Sequence, residues 1–306
     1  MEKLNNIISE IDSYVWGLPL IILIMVCGIM LTVRLGFLQV RKLGTALKYM
    51  VSSEEDGSGE VSSFAALCTA LSATVGTGNI VGVATAIAAG GPGALFWMEL
   101  AAFFGMATKF AEGLLAVKYR VKDDNGNILG GPFYYIENGL GKNWKWLGKL
   151  FALFGLLAGL MGIGTITQIN GITSAANTFF DPESKHTVSI LGMDYTWTTV
   201  IAGAVITVLT ALIIIGGIKR IATVSEVVVP VMIVAYAGCC LTIIFCHITE
   251  IPEAIVSIIK GAFNTRAAVG GAAGTIMMNA MKSGIARGIF SNEAGLGSAP
   301  IAAAAA

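Results

Sequence analysis

Residues 62–97 read SSFAALCTALSATVGTGNIVGVATAIAAGGPGALFW, a long apolar run with a polar centre. Between Ser72 and Asn79 the run carries two glycines and three side-chain hydroxyls. Glycine costs about 1 kcal/mol inside a helix, and lipid offers no partner to a freed backbone group. This pattern therefore predicts a membrane span that is interrupted beside a polar cavity, where N–H groups can bind a carboxylate and C=O groups a cation. A close-packed glycine face is the alternative, whereas the spacing does not fit a dinucleotide-binding loop.

The composition points to lipid as the solvent. Hydrophobic residues make up 55% of the 306 residues and charged residues 12%, with a mean hydropathy of +0.78. A soluble fold of this size needs more charge to cover its surface. The formal net charge of zero gives no basic surface for nucleic acid, and the five cysteines and two histidines show no metal-ligand spacing.

Apolar runs of about 20 residues predict successive transmembrane helices. Acidic residues precede the first run and basic residues follow it, which is the reverse of a signal peptide. We place spans 1–7 at 16–34, 62–89, 94–117, 147–178, 197–217, 221–247 and 266–284, with an interfacial helix at 252–262 and span 8 beginning near 287.

The loops predict that the N-terminus lies outside. With that orientation four basic residues fall outside and fourteen fall inside, which satisfies the positive-inside rule. The inner residues are Arg34, Arg41, Lys42, Lys48, Lys118, Arg120, Lys122, Lys142, Lys145, Lys149, Lys219, Arg220, Lys282 and Arg287.

A second glycine cluster, Gly270, Gly271 and Gly274, lies in predicted span 7. Spans 2 and 7 are five spans apart and run in opposite directions. Interrupted spans at matching positions indicate an inverted-repeat transporter. Ordinary packing of small residues is the alternative.

Other polar residues inside the spans give weaker predictions. Gln168 and Asn170 in span 4 either contact a ligand or form interhelical hydrogen bonds. Lys109 and Glu112 are three residues apart on span 3, as expected of a self-satisfied pair, and Asn292 and Glu293 are candidate gate contacts. The ionisable residues are scattered, so the sequence predicts no enzyme active site.

Three strings identify a family resemblance: TALSATVGTGNIVGVATAIAAGGPGALFWMELAAFFGMATKFAEGLLAVKYR (69–120), GGPFYYIENGLG (130–141) and ARGIFSNEAGLGSAPIAAAAA (286–306). Together they resemble the alanine or glycine:cation symporter family. The resemblance implies an all-α membrane protein with a leucine-transporter-type inverted-repeat fold of eleven spans. In a single transmembrane domain, residues 1–61 would be an extra first span and cytoplasmic loop, 62–250 the first five-helix repeat and 251–306 the start of the second.

The resemblance also implies a function and a site. The protein would be a cell-membrane symporter, not an enzyme, that imports alanine or glycine with sodium as the coupling ion and without an organic cofactor. The implied substrate-binding residues are Thr74, Gly76, Thr77, Gly78, Gln168, Asn170, Gly270, Gly271 and Gly274; the implied sodium ligands are Thr74, Val75 and Asn79, an incomplete set.

Several alternatives stay open at this stage. A proton-coupled carrier, an intramembrane enzyme and a passive channel are the competing functions. The chain ends in Ala-Pro-Ile and five alanines without a charged flank, so we expect a fragment that lacks part of the sodium site and does not transport by itself.

Overall fold

The computed structural model describes residues 2–15, 17–51, 59–162, 164–190, 192–263 and 272–305. The helices are α1 Glu2–Val15, α2 Leu18–Arg34, α3 Leu38–Arg41, α4 Leu43–Val51, α5 Ser63–Thr74, α6 Thr77–Gly90, α7 Gly93–Lys118, α8 Pro132–Leu140, α9 Lys145–Leu160, α10 Thr165–Phe180, α11 Trp197–Ile214, α12 Gly217–Cys246, α13 Ile251–Ala262, α14 Ala272–Asn292 and α15 Ala299–Ala303. Two antiparallel hairpins join β1 Val121–Lys122 to β2 Ile128–Leu129 and β3 Thr187–Ile190 to β4 Met193–Thr196.

The helices present an apolar outer surface. Within the described part of the chain, five segments are long and apolar enough to cross a membrane: Ser63–Gly90, Gly93–Lys118, Lys142–Phe180, Trp197–Ile214 and Gly217–Cys246. Large side chains on these segments and their ends are widely exposed, for example Leu160 (75%), Phe179 (79%) and Ile215 (82%). Lipid is the solvent that accommodates such a surface, so the chain is an all-α, multi-pass membrane protein.

Span 4 differs from the single helix that the sequence predicts. It forms α9 and α10, which are separated near residues 161–164. Gly162 and Gly164 both have left-handed backbone conformations, with φ of 65° and 87°, which glycine adopts without a steric penalty. The interruption places Gln168 in the first turn of α10, where its backbone N–H donates to the Gly164 carbonyl.

The boundary predicted between spans 7 and 8 is wrong. Helix α14 runs without interruption from Ala272 to Asn292, through the predicted gap at 284–287. The charged residues that suggested a loop, Lys282 and Arg287, are exposed on one side of this helix. The other side is buried against α7, because α14 packs on α7 and α6.

Small residues allow α7 to lie at the centre of the helix packing. Helices α2, α13, α14 and α15 all contact it. A Cβ atom added to Gly28 of α2 would lie 3.1 Å from the carbonyl oxygen of Phe104, and one added to Gly288 of α14 would lie 3.1 Å from that of Met98. Such close approach is typical of membrane helix pairs.

The end of α10 is held by Asp181. Its carboxylate accepts hydrogen bonds from the backbone N–H groups of Lys185 (3.1 Å) and His186 (3.2 Å). Burial raises the pKa of the Asp181 carboxyl, but these hydrogen bonds outweigh burial and leave the pKa below its usual value. The loop that follows α10 is therefore tied to the helix that carries Gln168.

Candidate functional site

The predicted interruption of span 2 is confirmed at Val75 and Gly76, between α5 and α6. Val75 is extended (φ −91°, ψ 106°), so its carbonyl leaves the helical direction. The Gly76 N–H donates to Asn79 Oδ1, and the Asn79 N–H donates to the Gly76 carbonyl, both at 3.0 Å. This reciprocal capping satisfies polar groups that the broken helix would otherwise leave without partners.

Gln168 closes the break from the side of α10. The Thr77 N–H, at the start of α6, donates to Gln168 Oε1 at 2.9 Å. The amide also covers Gly76, since a Cβ atom there would lie only 2.5 Å from Gln168 Nε2. Gln168 therefore makes an interhelical hydrogen bond to the N-terminus of α6, which is also the part of a helix that binds carboxylates.

The remaining residues of the predicted site do not all lie beside Gln168 and Gly76. Asn170 is exposed on α10, unlike Gln168. Gly78 lies against α14, where a Cβ atom would be 3.7 Å from the ring of Phe290. Thr74 Oγ1 donates to the carbonyls of Ala70 and Leu71 in its own helix, and its oxygen can still accept or bind a cation.

A second interruption lies at 293–298, between α14 and α15, and most of the glycine cluster at which the sequence predicts a break falls outside the described residues. Gly274 is in the first turn of α14, and Gly270 and Gly271 lie outside the described residues. Glu293, Gly295 and Gly297 have positive φ values of 53°, 86° and 77°. The sequence signal for this break was the Gly-Leu-Gly string that follows three polar residues at 291–293.

Candidate gate residues Asn292 and Glu293 belong to this second interruption. Asn292 Oδ1 accepts the Ala294 N–H at 2.8 Å, and the Ser298 hydroxyl donates to Glu293 Oε2 at 2.6 Å. Asn292 Nδ2 is buried without a hydrogen-bond partner among the described residues. A donor in that state is free to bind a further acceptor.

A cavity of about 420 Å³ lies between the two interruptions. Its polar wall combines residues that flank both: Thr74 and Asn79 lie on either side of the first, and Ser291 and Asn292 precede the second. Lys109 contributes a cation from α7. The apolar wall consists of Leu67, Ala70, Leu71, Ala299, Pro300 and Ala303, with Gly113 completing the lining.

The charges beside the cavity form a larger group than the predicted self-satisfied pair. Lys109 is close enough to interact electrostatically with both Glu293 and Glu112. Glu112 Oε2 is buried without a hydrogen-bond partner among the described residues. Helix α7 also approaches the second interruption directly, since a Cβ atom added to Gly105 would lie 3.2 Å from Ala294 Cβ, a relation that spacing within α7 alone does not indicate.

Comparison with known proteins places this arrangement in a family context. Residues 1–306 match the model of the Sodium:alanine symporter family. The chain is 55% identical to an uncharacterized transporter of Haemophilus influenzae, over 99% of this chain and 63% of the relative. It is 46% identical to the sodium/alanine symporter AgcS of Methanococcus maripaludis, over 98% and 63%, and 41% identical to the probable sodium/glutamine symporter GlnT of Bacillus subtilis, over 99% and 59%. The chain spans less than two thirds of the length of each of these relatives.

Proposed function

We propose that this chain, which belongs to the sodium:alanine symporter family, forms part of a secondary active symporter that imports alanine or glycine together with sodium. The observation that carries this proposal is the cavity of about 420 Å³ lined by residues that flank both helix interruptions. Interrupted helices are the usual source of substrate and ion sites in such transporters, because they expose backbone groups at the depth where the cargo binds.

The substrate carboxylate binds at the N-terminus of α6. The amides of Gly76, Thr77 and Gly78 belong to this end of the helix, whose dipole favours an anion. One of these amides, that of Thr77, is bonded to Gln168 in the structure. A substrate carboxylate takes over that amide, and the Gln168 side chain then turns to the substrate.

Sodium, the second substrate, binds at the C-terminal end of α5. The donors are the Thr74 hydroxyl, the Val75 carbonyl and the Asn79 side-chain oxygen. Hydroxyl, carbonyl and amide oxygens are hard ligands of the kind that suit hard cations. Because Asn79 Oδ1 also accepts the Gly76 N–H, sodium binding is coupled to the geometry of the break that receives the carboxylate.

Residues that flank the interruption at 293–298 supply the opposite wall of the cavity, and the predicted break from Gly270 to Gly274 remains part of the proposed site. Residues 62–250 form the first of two inverted repeats, and 251–306 begin the second, in a leucine-transporter-type fold. The N-terminus faces the outside of the cell membrane. Sodium and substrate together stabilise the loaded carrier, which alternates access around the site.

Uptake of labelled alanine into proteoliposomes tests this function. The full-length gene product should accumulate alanine when an inward sodium gradient is imposed, and accumulation should collapse when the gradient is removed. Accumulation driven only by a proton gradient would show that protons, and not sodium, are the coupling ion. Downhill flux that no ion gradient accelerates would indicate a channel. Inhibition of alanine uptake by glutamine but not by glycine would show that the site accepts glutamine and not glycine.

A further inference from the structure

We propose that Glu60 is a positioning residue, which holds together a clasp that closes the cavity toward the side predicted to be cytoplasmic. The clasp consists of three segments: 59–62 before α5, 119–131 after α7, and 301–305 at the end of α15. The consequence of the clasp for transport rests on the proposed function and the predicted topology, whereas its contacts are features of the fold.

Glu60 contacts both of the other segments. Its side-chain oxygen Oε1 accepts a hydrogen bond from the backbone N–H of Ile128 in β2. Its own backbone N–H donates to the Ala305 carbonyl at 2.9 Å, and the N–H of Val61 donates to the same oxygen at 3.3 Å. Glu60 therefore connects the segment before α5 to the hairpin on one side and to the end of α15 on the other.

Arg120 makes a third connection, between the segment after α7 and the end of α15. Its Nη1 donates to the Ala304 carbonyl at 3.0 Å. Gly131 lets the chain lie close to α15, because a Cβ atom there would be only 2.9 Å from Ile301 Cγ1. The last carbonyls of a helix lack partners within the helix. Arg120 and the backbone of residues 60–61 supply these partners from two different segments.

The hairpin that carries Ile128 is fixed by its own turn. The Asp123 carboxylate accepts hydrogen bonds from the Asn125 N–H (3.0 Å), the Asn127 N–H (2.7 Å) and Asn127 Nδ2 (2.9 Å). Asp side chains that bind nearby backbone in this way stabilise turns. The turn therefore holds the Ile128 N–H in place, and little conformational freedom is lost when Glu60 accepts it.

The clasp lies at the ends of three helices that line the cavity. Helix α5 begins at Ser63, α7 ends at Lys118 and α15 ends at Ala303, each close in sequence to a residue of the clasp. All three helices line the cavity, through residues that include Leu67, Gly113 and Ala303. While the hydrogen bonds of the clasp hold, α5 and α15 do not part at this end.

The clasp therefore sets a preference between two states of the carrier. In the closed clasp the cavity has no exit between α5 and α15, and in the open clasp it has one. Without the Glu60 carboxylate the Ile128 N–H loses its acceptor, and the hairpin no longer ties down the segment before α5. A larger fraction of the protein is then open toward the cytoplasm.

Side-specific labelling of a cavity cysteine in the full-length gene product tests the clasp. The reporter is Ser291→Cys, a nearly isosteric change in the cavity lining. Its modification by a membrane-impermeant thiosulfonate is followed by mass spectrometry of its own peptide, in inside-out vesicles without alanine. Glu60→Ala should accelerate this modification about tenfold, as expected when a hydrogen bond to a charged group is lost.

Two further variants make the labelling specific to the Glu60 carboxylate. Glu60→Gln keeps an oxygen that can accept the Ile128 N–H, and it should accelerate the modification less than Glu60→Ala. Asp124→Asn is the matched control, because Asp124 is an exposed acidic residue of the same hairpin, and it should leave the rate unchanged.

Right-side-out vesicles and uptake complete the test. Labelling from the outside should stay the same or fall in Glu60→Ala, and the half-saturating sodium concentration for uptake should rise, since a smaller fraction of the carrier faces outward. Acceleration from the outside, alone or with the inside, would overturn the inference, as would unchanged labelling from the inside in both Glu60 variants. If the wild-type protein takes up no amino acid, the proposed function fails, and the labelling still decides whether Glu60 holds the clasp.

Discussion

The interruption between α5 and α6 is two residues long, whereas the one between α14 and α15 is six residues long. Neutral groups hold the first: the side chains of Asn79 and Gln168 accept its N–H groups. The second is held by contacts among its own residues and the end of α14: Asn292 Oδ1 accepts the Ala294 N–H, and the Ser298 hydroxyl donates to Glu293 Oε2. The first interruption therefore depends on a side chain from another helix, α10, whereas these contacts of the second are local.

The two interruptions differ in how easily a substrate can replace the groups that hold them. The Gln168–Thr77 hydrogen bond lies at the predicted carboxylate site, so substrate can replace it at little cost. The Asn292–Ala294 and Ser298–Glu293 hydrogen bonds of the second interruption are local to that segment. We therefore regard the first interruption as the part that recognises substrate and the second as the part whose shape is fixed.

The largest effect should come from filling the space between the two interruptions. We expect Gly78→Leu to abolish sodium-driven alanine uptake, because the branched side chain enters the contact with Phe290 and Ser291. Gly78→Ala is the control: its Cβ would lie 3.7 Å from the Phe290 ring, an ordinary contact, so uptake should persist. Membrane insertion is checked by surface labelling. Uptake at the wild-type rate by the leucine variant would show that Gly78 serves only in helix packing.

A stability difference should separate the second interruption from an exposed turn. Alanine at Gly297 meets both a left-handed backbone, which costs about 1–2 kcal/mol, and close contacts at 2.7 Å with Phe151 and 3.0 Å with Pro132, which add about 1–3 kcal/mol. Gly126→Ala, in the exposed turn between β1 and β2, has only the first cost, since Gly126 also has a positive φ of 83° and no atom lies within 4 Å of its Cβ position. The midpoint of thermal unfolding should therefore drop further for Gly297→Ala. Equal midpoints would mean that the 293–298 segment is not packed as described.

The sequence was sufficient to locate the first interruption because its signal is local. Polar residues and glycines between Ser72 and Asn79 lie in the middle of an apolar run, where a regular helix gains nothing from them. The side chain that closes this break is harder to identify from the sequence. The sequence predicts that Gln168 contacts either a ligand or another helix. Which of these it does depends on the break at Gly162 and Gly164 before α10, which hydropathy does not indicate.

The boundary between predicted spans 7 and 8 is wrong because charged residues are an ambiguous sign of a helix end. Lys282 and Arg287 have the charge expected of a loop, but both lie within α14. A helix can keep such charges if one face is exposed, as in α14. Asn292 and Glu293 are predicted as gate contacts, and hydropathy does not show that α14 ends beside them.

A smaller effect should follow from removing Gln168. In Gln168→Ala we expect alanine binding to weaken by roughly 0.5–1.5 kcal/mol, the value of one hydrogen bond, measured as the shift in the half-saturating alanine concentration. Asn170→Ala, on the exposed part of α10, should change binding less. Loss of thermal stability with unchanged affinity would assign Gln168 to the interhelical hydrogen bond alone. The same variant should also tolerate Gly76→Ala, since the side chain that a Cβ would strike is gone.

The smallest effect on stability should occur at Thr74, where the ion rather than the fold depends on the hydroxyl. The Leu71 carbonyl that accepts the Thr74 hydroxyl already accepts the Val75 N–H, so Thr74→Val leaves no helix carbonyl without a donor. The unfolding midpoint should change by the equivalent of less than about 0.5 kcal/mol. If the hydroxyl is a sodium ligand, the sodium concentration for half-maximal uptake should nevertheless rise about tenfold, since an interaction with a charge is lost. Thr74→Ser keeps the hydroxyl and should retain the wild-type sodium dependence. A valine variant with unchanged sodium dependence would remove Thr74 from the ion site and leave Val75 and Asn79 as the donors of the first interruption.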